Sequence, residues 1–495
     1  MLENLLSGLG LCLTPSVLFW TTFGAVLGLV LGIIPGLGSL IGMALCLPFV
    51  FKMDPMEAMP FLAALSATGF TGGSITAVLL GVPGEAANIV TTFDGYPMTQ
   101  KGQGARAIGA ALTSSLVGGV IAVFMAMGMM FIIMPLVMLV TSKEMVFIIL
   151  AGLSFICLLG KGEKIKSLIS GCLGILLSCV GLVSVSGEIR FTFDNPFLFD
   201  GFSIIPVTLG LFAVPPLIAL AMKGGSGTIS NSKAKVSIRD TFEGVKDVLR
   251  YKWLCLKCSV IGYFFGVMPG VGAQAAVFVA YGHAKSSAAN PDDFGTGDVQ
   301  GVIAPESCNN AKESGSWLTT LALGIPGSAT GAVGLGALVL LGIMPGPSMF
   351  TDHLDLTICV FGTLATANVI GFICCLPVVS YLARISLIPG RILVPLVLVI
   401  IVLGAYATRG LMADVYILLF FSCLGLLLNR FNFNTGSMLL GFILGDLFET
   451  YLFISLQANG WTFFMNPGPI VILICTMIFL VAPFVSKKIR QKRAA

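Results

Sequence analysis

Charged residues are scarce in this chain of 495 residues: Asp, Glu, Lys and Arg make up only 10%, against 56% hydrophobic residues. The mean hydropathy of +1.00 exceeds what the core of a soluble protein needs. Apolar runs of 18 or more residues recur along the chain, and such runs are typical of membrane-spanning helices. The sequence therefore predicts an all-α polytopic membrane protein. The net charge of +4 is small and spread over loops, which argues against a nucleic-acid-binding surface.

Residues that carry chemistry are also few. The chain has two histidines, His283 and His353, and its lone CxxC at Cys255 and Cys258 has no second Cys/His pair to complete a zinc site. The sequence contains no GxSxG, HExxH or GxxxxGK[ST] motif. We therefore expect a protein that is not an enzyme and does not hydrolyse ATP through a P-loop. We expect no cofactor beyond Na⁺ as a coupling ion.

Helix-breaking motifs are what the chain does contain, and they occur in two matched pairs. GIIPGLG at Gly32–Gly38 is repeated as GVMPGVG at Gly266–Gly272, and GVPG at Gly81–Gly84 is repeated as GIPG at Gly324–Gly327. Proline and glycine both disfavour the continuation of a helix. Paired breaks inside apolar sequence are typical of transporters built from two related halves. We predict about 11–12 transmembrane helices with broken helices and two re-entrant hairpins, arranged as an inverted repeat.

Charge along the chain divides it into four parts. Residues 1–222 form the first half with hairpin 1 at Gly69–Asn88, and residues 253–485 form the second half with hairpin 2 at about Gly315–Leu341. Between them, residues 223–252 are predicted to be a cytoplasmic amphipathic linker, and residues 486–495 a basic cytoplasmic tail.

Sidedness follows from where Lys and Arg are placed. Residues 1–51 contain neither, which predicts an N-terminus outside, and the basic tail predicts a C-terminus inside. Leu11–Phe51 is interpreted as one crossing of two half-helices that arrives inside at Lys52. Tyr96–Arg106 is expected inside, whereas the acidic loop 285–313 is expected outside. In this interpretation the matched motifs of the two halves face opposite sides.

The helix breaks suggest where a ligand would bind. Half-helix N-termini present free N–H groups that suit carboxylates, whereas half-helix C-termini and unwound carbonyls suit Na⁺. The alternative for each glycine is that it only permits close helix packing, and the alternative for the Asn309–Asn310 region is an ordinary external loop. The candidate substrate-binding residues are Gly36, Gly38, Ser39, Gly84, Ala86, Asn88, Gly270, Gly272, Gln274, Asn309, Asn310, Gly327, Ser328 and Thr330.

Glu85 is the most informative carboxylate, because an ionisable group at membrane depth is expensive. Three roles are open: it binds Na⁺, it carries a proton, or it caps the following turn. Asp94 is expected to cap a turn at the inner surface. Asp446 and Glu449 are interpreted equally as members of a buried ion pair or as transport residues. The candidate ion-coupling residues are Glu85, Ser74, Thr76 and Glu306.

Four long stretches resemble one protein family. They are GGSITAVLLGVPGEAANIVTTFDGYPM from residue 72, GVMPGVGAQAAVFVAYG from residue 266, GVIAPESCNNAKESGSWLTTLALGIPGSATGAVGLGALVLLGIMPGP from residue 301 and GSMLLGFILGDLFE from residue 436. Together they look like the large membrane subunit of tripartite tricarboxylate transporters, the TctA type. The chain departs from the family's usual residues at Asn88, where Ser is common, and at Gly331, where Thr is common.

The resemblance implies a multi-pass permease of the bacterial inner membrane. It implies two partners, a periplasmic substrate-binding protein and a small membrane subunit of about four helices, with loop 285–313 as a docking surface for the former. Uptake would be driven by a Na⁺ or H⁺ gradient, and the substrates would be citrate-like tricarboxylates or related organic acids. An organic-anion channel and a non-transporting membrane scaffold are the alternatives.

Overall fold

The computed structural model describes residues 2–34, 37–137, 139–159, 164–183, 187–222, 238–268, 272–385 and 390–477. Nearly all of these residues are helical. Within the described ranges, strand structure is confined to an antiparallel pair, β1 (Gly181–Leu182) and β2 (Ile189–Arg190). The predicted all-α architecture is confirmed.

The first half contains ten helices within the described residues. They are α1 Leu2–Cys12, α2 Pro15–Ile33, α3 Gly38–Val50, α4 Pro55–Leu80, α5 Thr92–Gln100, α6 Gly104–Val137, α7 Ser142–Leu159, α8 Lys164–Ser178, α9 Ile204–Thr208 and α10 Val214–Met222. A π-helical turn, Leu209–Ala213, joins α9 to α10.

The linker and second half contain α11 Ile238–Arg250, α12 Lys252–Val267, α13 Gly272–Ser287, α14 Gln300–Leu323, α15 Ala329–Leu340, α16 Ser348–Thr351, α17 Leu354–Ile385, α18 Gly390–Arg409, α19 Met412–Arg430 and α20 Thr435–Asn459. The predicted linker is thus helical over Ile238–Arg250, while its residues 223–237 and the tail 486–495 lie outside the described residues.

Several helices are long and apolar enough to cross a membrane. Within the described ranges there are seven: Pro15–Ile33, Pro55–Leu80, Gly104–Leu136, Ile204–Met222, Leu354–Pro377, Met412–Arg430 and Thr435–Met465. Shorter apolar helices accompany them at Gly38–Val50, Ile165–Ser178, Ala329–Leu340, Val394–Arg409 and Pro467–Met477. A polytopic membrane protein is confirmed.

The helices α2 and α3 form a hairpin rather than one crossing. α2 runs parallel to α4, because Gly24 lies against Phe61 and, two turns later, Gly32 lies against Gly69. α3 then runs back, and its Ser39 hydroxyl donates to the Ser66 carbonyl at 3.2 Å. The predicted single crossing at Leu11–Phe51 is therefore wrong. A Pro-Gly pair tells where a helix stops but not the direction that the chain takes afterwards.

The second half repeats this arrangement. Gly262 lies against Cys308 and Gly266 against Lys312, so α12 runs parallel to α14. The Cys258 thiol lies 3.9 Å from the Ala280 carbonyl, so α13 returns beside α12. Each half thus places the tip of a helical hairpin beside the middle of a long buried helix, α4 or α14.

The helices α4 and α14 also end in the same way. Gly81 (φ +67°) and Gly324 (φ +65°) cap their C-termini in the left-handed conformation, which glycine adopts without strain. The chain then folds back along the helix that it has just left. Gly84 donates its N–H to the Gly73 carbonyl at 3.3 Å, and Gly327 lies against Ser316. The GxPG segments are therefore the tips of two return loops.

The helices α4 and α14 cross antiparallel at the centre of the molecule. Ser74 of α4 contacts Glu306 near the start of α14, and Ser66, two turns earlier on α4, accepts a hydrogen bond at 3.2 Å from the indole of Trp317. Trp317 is fully buried.

One end of the molecule gathers segments that the charge pattern had separated. The Asp94 carboxylate in α5 accepts hydrogen bonds from the backbone N–H groups of Gly295, Gly297 and Asp298 at 2.8–3.0 Å. Arg106, in the first turn of α6, pairs with Asp247 of α11. The loop before α14 therefore lies at the same end as Tyr96–Arg106 and the linker, which contradicts its expected placement on the opposite face.

That loop is also much shorter than expected. α14 begins at Gln300, so Glu306, Asn309 and Asn310 lie on a buried helix and not in an external loop. The polar sequence resembles a solvated loop, but its partners come from the other half of the chain. Asp94 likewise caps a loop of the second half instead of a turn of its own segment.

Candidate functional site

Glu85 lies where the hairpin tip and the return loop of the first half meet. Its carboxylate accepts a hydrogen bond from the backbone N–H of Ser39, at the N-terminus of α3. Gly38 makes this approach possible: its φ is +51°, and a Cβ there would lie 2.8 Å from Cγ of Glu85. Of the three roles left open for Glu85, capping of the following turn is excluded, because the carboxylate caps α3 and makes no capping bond to that turn. The carboxylate at this helix N-terminus is the protein's own, whereas the helix breaks predicted that substrate carboxylates bind at such N-termini.

Charged groups of the second half lie within electrostatic range of Glu85. They are Lys312 and Glu313 of α14. The Lys312 ammonium lies 2.8 Å from Oε1 of Glu313, and the two side chains are only 3% and 1% exposed. The same ammonium lies 3.6 Å from the centre of the Phe70 ring, a cation–π contact. The two halves thus bring charges of both signs together in the interior.

A chain of hydroxyl groups extends from this ion pair. Thr330 donates to Oε1 of Glu313 at 3.2 Å, Ser328 lies 2.8 Å from the Thr330 hydroxyl, and Ser316 lies 2.7 Å from the Ser328 hydroxyl. Ser328 also caps α15 by accepting from the Gly331 N–H at 3.0 Å. We call the following residues the central cluster: Ser39, Glu85, Lys312, Glu313, Ser316, Ser328 and Thr330.

Each return loop places an exposed residue directly after a member of the central cluster. Ala86 and Ala329, at corresponding positions of the two loops, are exposed, and the preceding Glu85 and Ser328 are partly exposed. Irregular backbone and ionisable groups at membrane depth are tolerated where they line a wet cavity or are buried in protein. Within the central cluster, Glu85 and Ser328 are the residues that partly reach the protein surface.

A second carboxylate, Glu306, is enclosed by hydroxyl groups of the first half. It is fully buried and accepts hydrogen bonds from Ser74, from Thr91 and, at 3.1 Å, from Ser115. Asn88 supports this arrangement by donating to the Ser74 hydroxyl at 2.9 Å. We call it the Glu306 cage. Its donors lie on α4, on the return loop and on α6.

The remaining predicted residues have varied surroundings. Asn310 donates to Thr71 at 2.9 Å and to Asn368 at 2.6 Å, whereas neither side-chain polar atom of Asn309 has a hydrogen-bond partner. Thr76 donates to the Gly73 carbonyl of its own helix at 3.1 Å. Gly272 begins α13. Gly36, Gly270 and the side chain of Gln274 lie outside the described residues.

The sequence is similar to known proteins over most of its length. The model of the tripartite tricarboxylate transporter TctA family matches residues 18–440. The chain belongs to this family. It is therefore a component of a tripartite transporter and a multi-pass membrane protein, as the resemblance implied.

The TctA-family chain also has relatives among curated proteins. It is 30% identical over 499 residues to an uncharacterized 52.8 kDa protein in the TAR-I ttuC' 3' region of Agrobacterium vitis. The alignment covers 99% of this chain and 98% of the relative. It is 32% identical over 234 residues to an uncharacterized protein in the TAR-II ttuC' 3' region of the same organism, covering 46% of this chain and 97% of the relative. No solved structure matches it.

Sequence reasoning missed five residues of the two clusters in this TctA-family chain: Lys312, Glu313, Ser316, Thr91 and Ser115. The sequence places Lys312 and Glu313 in an external loop, because the residues before them, 305–310, are mostly polar. Thr91 and Ser115 carried no signal, since isolated hydroxyl residues are common in apolar helices.

Charged residues away from the centre have structural partners. Arg190 binds Glu449 at 2.7 Å, which supports the ion-pair interpretation of Glu449. Arg106 donates to both carboxylate oxygens of Asp247. These pairs stabilise peripheral segments. Among the described residues, the central cluster is therefore the main group of buried opposite charges.

Proposed function

We propose that the chain is the permease subunit of a secondary transporter that imports citrate-like tricarboxylates or related organic acids. The observation that carries this proposal is the central cluster, where helix breaks from both halves bring carboxylates, an ammonium and hydroxyl groups to one largely buried place. Family membership supports the wider frame of a tripartite system. Its partners would be a periplasmic substrate-binding protein and a small four-helix membrane subunit, and the system would lie in the bacterial inner membrane.

The two halves act as an inverted repeat in this proposal. The antiparallel crossing of α4 and α14 supports it, together with the equivalent hairpins and return loops. Residues 52–54 and the loop before α14 lie at opposite ends, so each long helix starts from its own side. The N-terminus would be periplasmic and the C-terminus cytoplasmic. Alternating access would follow from exchanging the roles of the two halves.

Substrate carboxylates would bind at the half-helix N-termini and at the hydroxyl groups of Ser328 and Thr330. Na⁺ or H⁺ would bind at Glu85, with Glu306 and Ser74 as a second candidate ion site. A polyanion that enters without counter-cations moves against the membrane potential at about 2.3 kcal/mol per charge per 100 mV. Coupling to cations removes this opposition, so several cations per substrate are expected.

Uptake of radiolabelled citrate into proteoliposomes tests the proposal. The vesicles contain this chain and its small subunit, the binding protein is added outside, and a Na⁺ or H⁺ gradient is imposed. We expect saturable uptake that requires the binding protein and one of the two gradients. Uptake of a different organic acid would correct the substrate and keep the mechanism. Flux that rises linearly with concentration and ignores both gradients would contradict the proposal and favour a channel.

A further inference from the structure

We propose that the Lys312–Glu313 ion pair is an exchange switch that couples the two ligands. A carboxylate of the substrate would take Lys312 from Glu313, and the released Glu313, together with Glu85, would then bind the coupling cation. The inference rests on the proposed function and names the residues that link the anion to the cation.

The ion pair is built so that it can open without moving a helix. Lys312 and Glu313 are neighbours on α14, and adjacent residues of a helix do not face each other. The long Lys312 side chain therefore bends to reach Glu313 at 2.8 Å. A rotation of this side chain alone breaks the contact, because its aliphatic stem is flexible. The centre of the Phe70 ring lies 3.6 Å from the ammonium, so the cation–π contact can stabilise the charge while the side chain rotates.

Lys312 is well placed to meet a carboxylate. Its backbone lies against Gly266 just before the hairpin break of the second half, as that of Gly69 lies against Gly32 in the first half. The first half therefore has a glycine where the second half has a cation. Lys312 therefore supplies a positive charge for an anion in one half only. It lies close to the return loops, where Ala86 and Ala329 are exposed.

Charge balance supplies the coupling. The Lys312 ammonium contacts the Glu313 carboxylate and interacts with Glu85 at longer range, so these three groups together carry one more negative than positive charge. When a substrate carboxylate occupies Lys312, the buried Glu313 loses its counter-charge, which is unfavourable. A proton or a Na⁺ restores the balance. For Na⁺, the carboxylate oxygens of Glu313 that Lys312 has released supply ligands.

Because binding free energies are linked, the coupling must act in both directions. If the cation tightens anion binding by a given factor, the anion tightens cation binding by the same factor. The switch therefore predicts that removing the Glu313 charge abolishes this factor while leaving the anion site intact. Removing the Lys312 charge should instead destroy the anion site.

The experiment measures binding of the organic acid that wild type takes up, with citrate tried first, to the purified complex of this chain with its small subunit. Binding is measured at low and at high concentration of the coupling cation. Coupling between two binding sites typically changes ligand affinity by about 5- to 150-fold. For Glu313→Gln we expect affinities at the two cation concentrations that agree within about twofold. For Lys312→Gln we expect binding at least about tenfold weaker at both concentrations.

Three controls separate a switch from a merely structural pair. Glu449→Gln removes a carboxylate from the peripheral ion pair with Arg190 and should keep the wild-type cation dependence. Glu313→Asp and Lys312→Arg keep the charges and should keep cation-dependent binding, which rescues the role if the amide variants fold poorly. Each variant is checked by its thermal unfolding transition.

Wild-type cation dependence in folded Glu313→Gln, or wild-type affinity in folded Lys312→Gln, would overturn the switch. Either result leaves the importer proposal intact. By contrast, a wild-type complex that takes up no organic acid under any gradient would refute the proposed function itself.

Discussion

A single glycine decides how Glu85 is held. Gly38 combines a left-handed backbone with a position directly against the Glu85 side chain. Any other residue meets both backbone strain and a steric clash there. The glycine therefore has a specific task beyond allowing two helices to approach.

We expect Gly38→Ala to lower both stability and uptake. The left-handed conformation costs an L-residue roughly 1–2 kcal/mol, and the new methyl group would displace the carboxylate from the N-terminus of α3. Thermal unfolding of the purified complex and uptake into proteoliposomes measure the two effects. Gly128→Ala is the matched control, because nothing lies within 4 Å of a Cβ there and the residue is helical. Equal effects of the two substitutions would contradict this account.

At the residue scale the sequence predicted part of the site. Glu85, Ser39, Ser328 and Thr330 could be named because they follow helix-breaking motifs, and such motifs are visible in one sequence. Lys312 could not be assigned in this way, since its partners Phe70 and Glu85 lie more than 200 positions away along the chain. Contacts of that kind follow from how the two halves cross, which no local pattern encodes.

At the scale of secondary-structure elements, the two return loops offer a comparison within one molecule. Gly81 and Gly324 end α4 and α14 with nearly equal φ angles, but their surroundings differ. A Cβ at Gly81 would lie 2.9 Å from the Tyr96 ring, whereas a Cβ at Gly324 would lie in ordinary contact, 3.5 Å from the Pro345 carbonyl.

Gly81→Ala should therefore destabilise more than Gly324→Ala. Both variants share the cost of roughly 1–2 kcal/mol for a left-handed L-residue, and only Gly81→Ala adds the clash with Tyr96. Thermal unfolding of both variants in the same detergent measures the difference. The double variant Gly81→Ala/Tyr96→Ala should bring the strain at Gly81 close to that at Gly324. If the double variant shows no such recovery relative to Tyr96→Ala alone, the ring is not the cause.

The element that the sequence misplaced is the first part of α14. Its polar residues Glu306, Asn309 and Asn310 match a surface loop in composition, yet the helix is buried throughout. Burial is possible because the Glu306 cage and Thr71 supply hydrogen bonds from the other half. Composition reports the polarity of a segment, but only tertiary structure reports whether protein or water satisfies it.

At the scale of the whole molecule, the linker helix and the loop before α14 share one end. We expect Lys246→Cys and Thr296→Cys to react with an impermeant thiol reagent from the cytoplasmic side, and Phe193→Cys, 89% exposed in the parent residue, from the opposite side. Labelling of intact cells and inside-out vesicles measures this, in a background without the exposed Cys172, Cys423 and Cys475. Labelling of Thr296→Cys from the side opposite to Lys246→Cys would refute the shared end.

Asp94 should stabilise the end of the molecule that contains the loop before α14. Its carboxylate accepts three backbone N–H groups and the Tyr281 hydroxyl, and hydrogen bonds to charged groups contribute about 1.5–3 kcal/mol. We expect Asp94→Asn to lower the free energy of unfolding by about this amount and to speed proteolysis within residues 288–299. Asp292→Asn, at an exposed position of the same loop, should change neither. Unchanged proteolysis of Asp94→Asn would contradict the contact's role.

The hydrogen bonds that Asp94 accepts lie at one face of the molecule. Gly32 and its counterpart Gly266 are 234 positions apart, whereas Gly84 and Gly327 are 243 apart, so the second half holds nine additional residues between these points. They fall in α13, which is longer than α3, and in the loop that Asp94 binds. In the proposed importer, opening the face that contains Asp94 would break bonds that opening the other face would spare. We therefore expect a resting ensemble that favours the state open to the outside. A cysteine at Ala86 that reacts equally from both sides in the resting protein would exclude this bias.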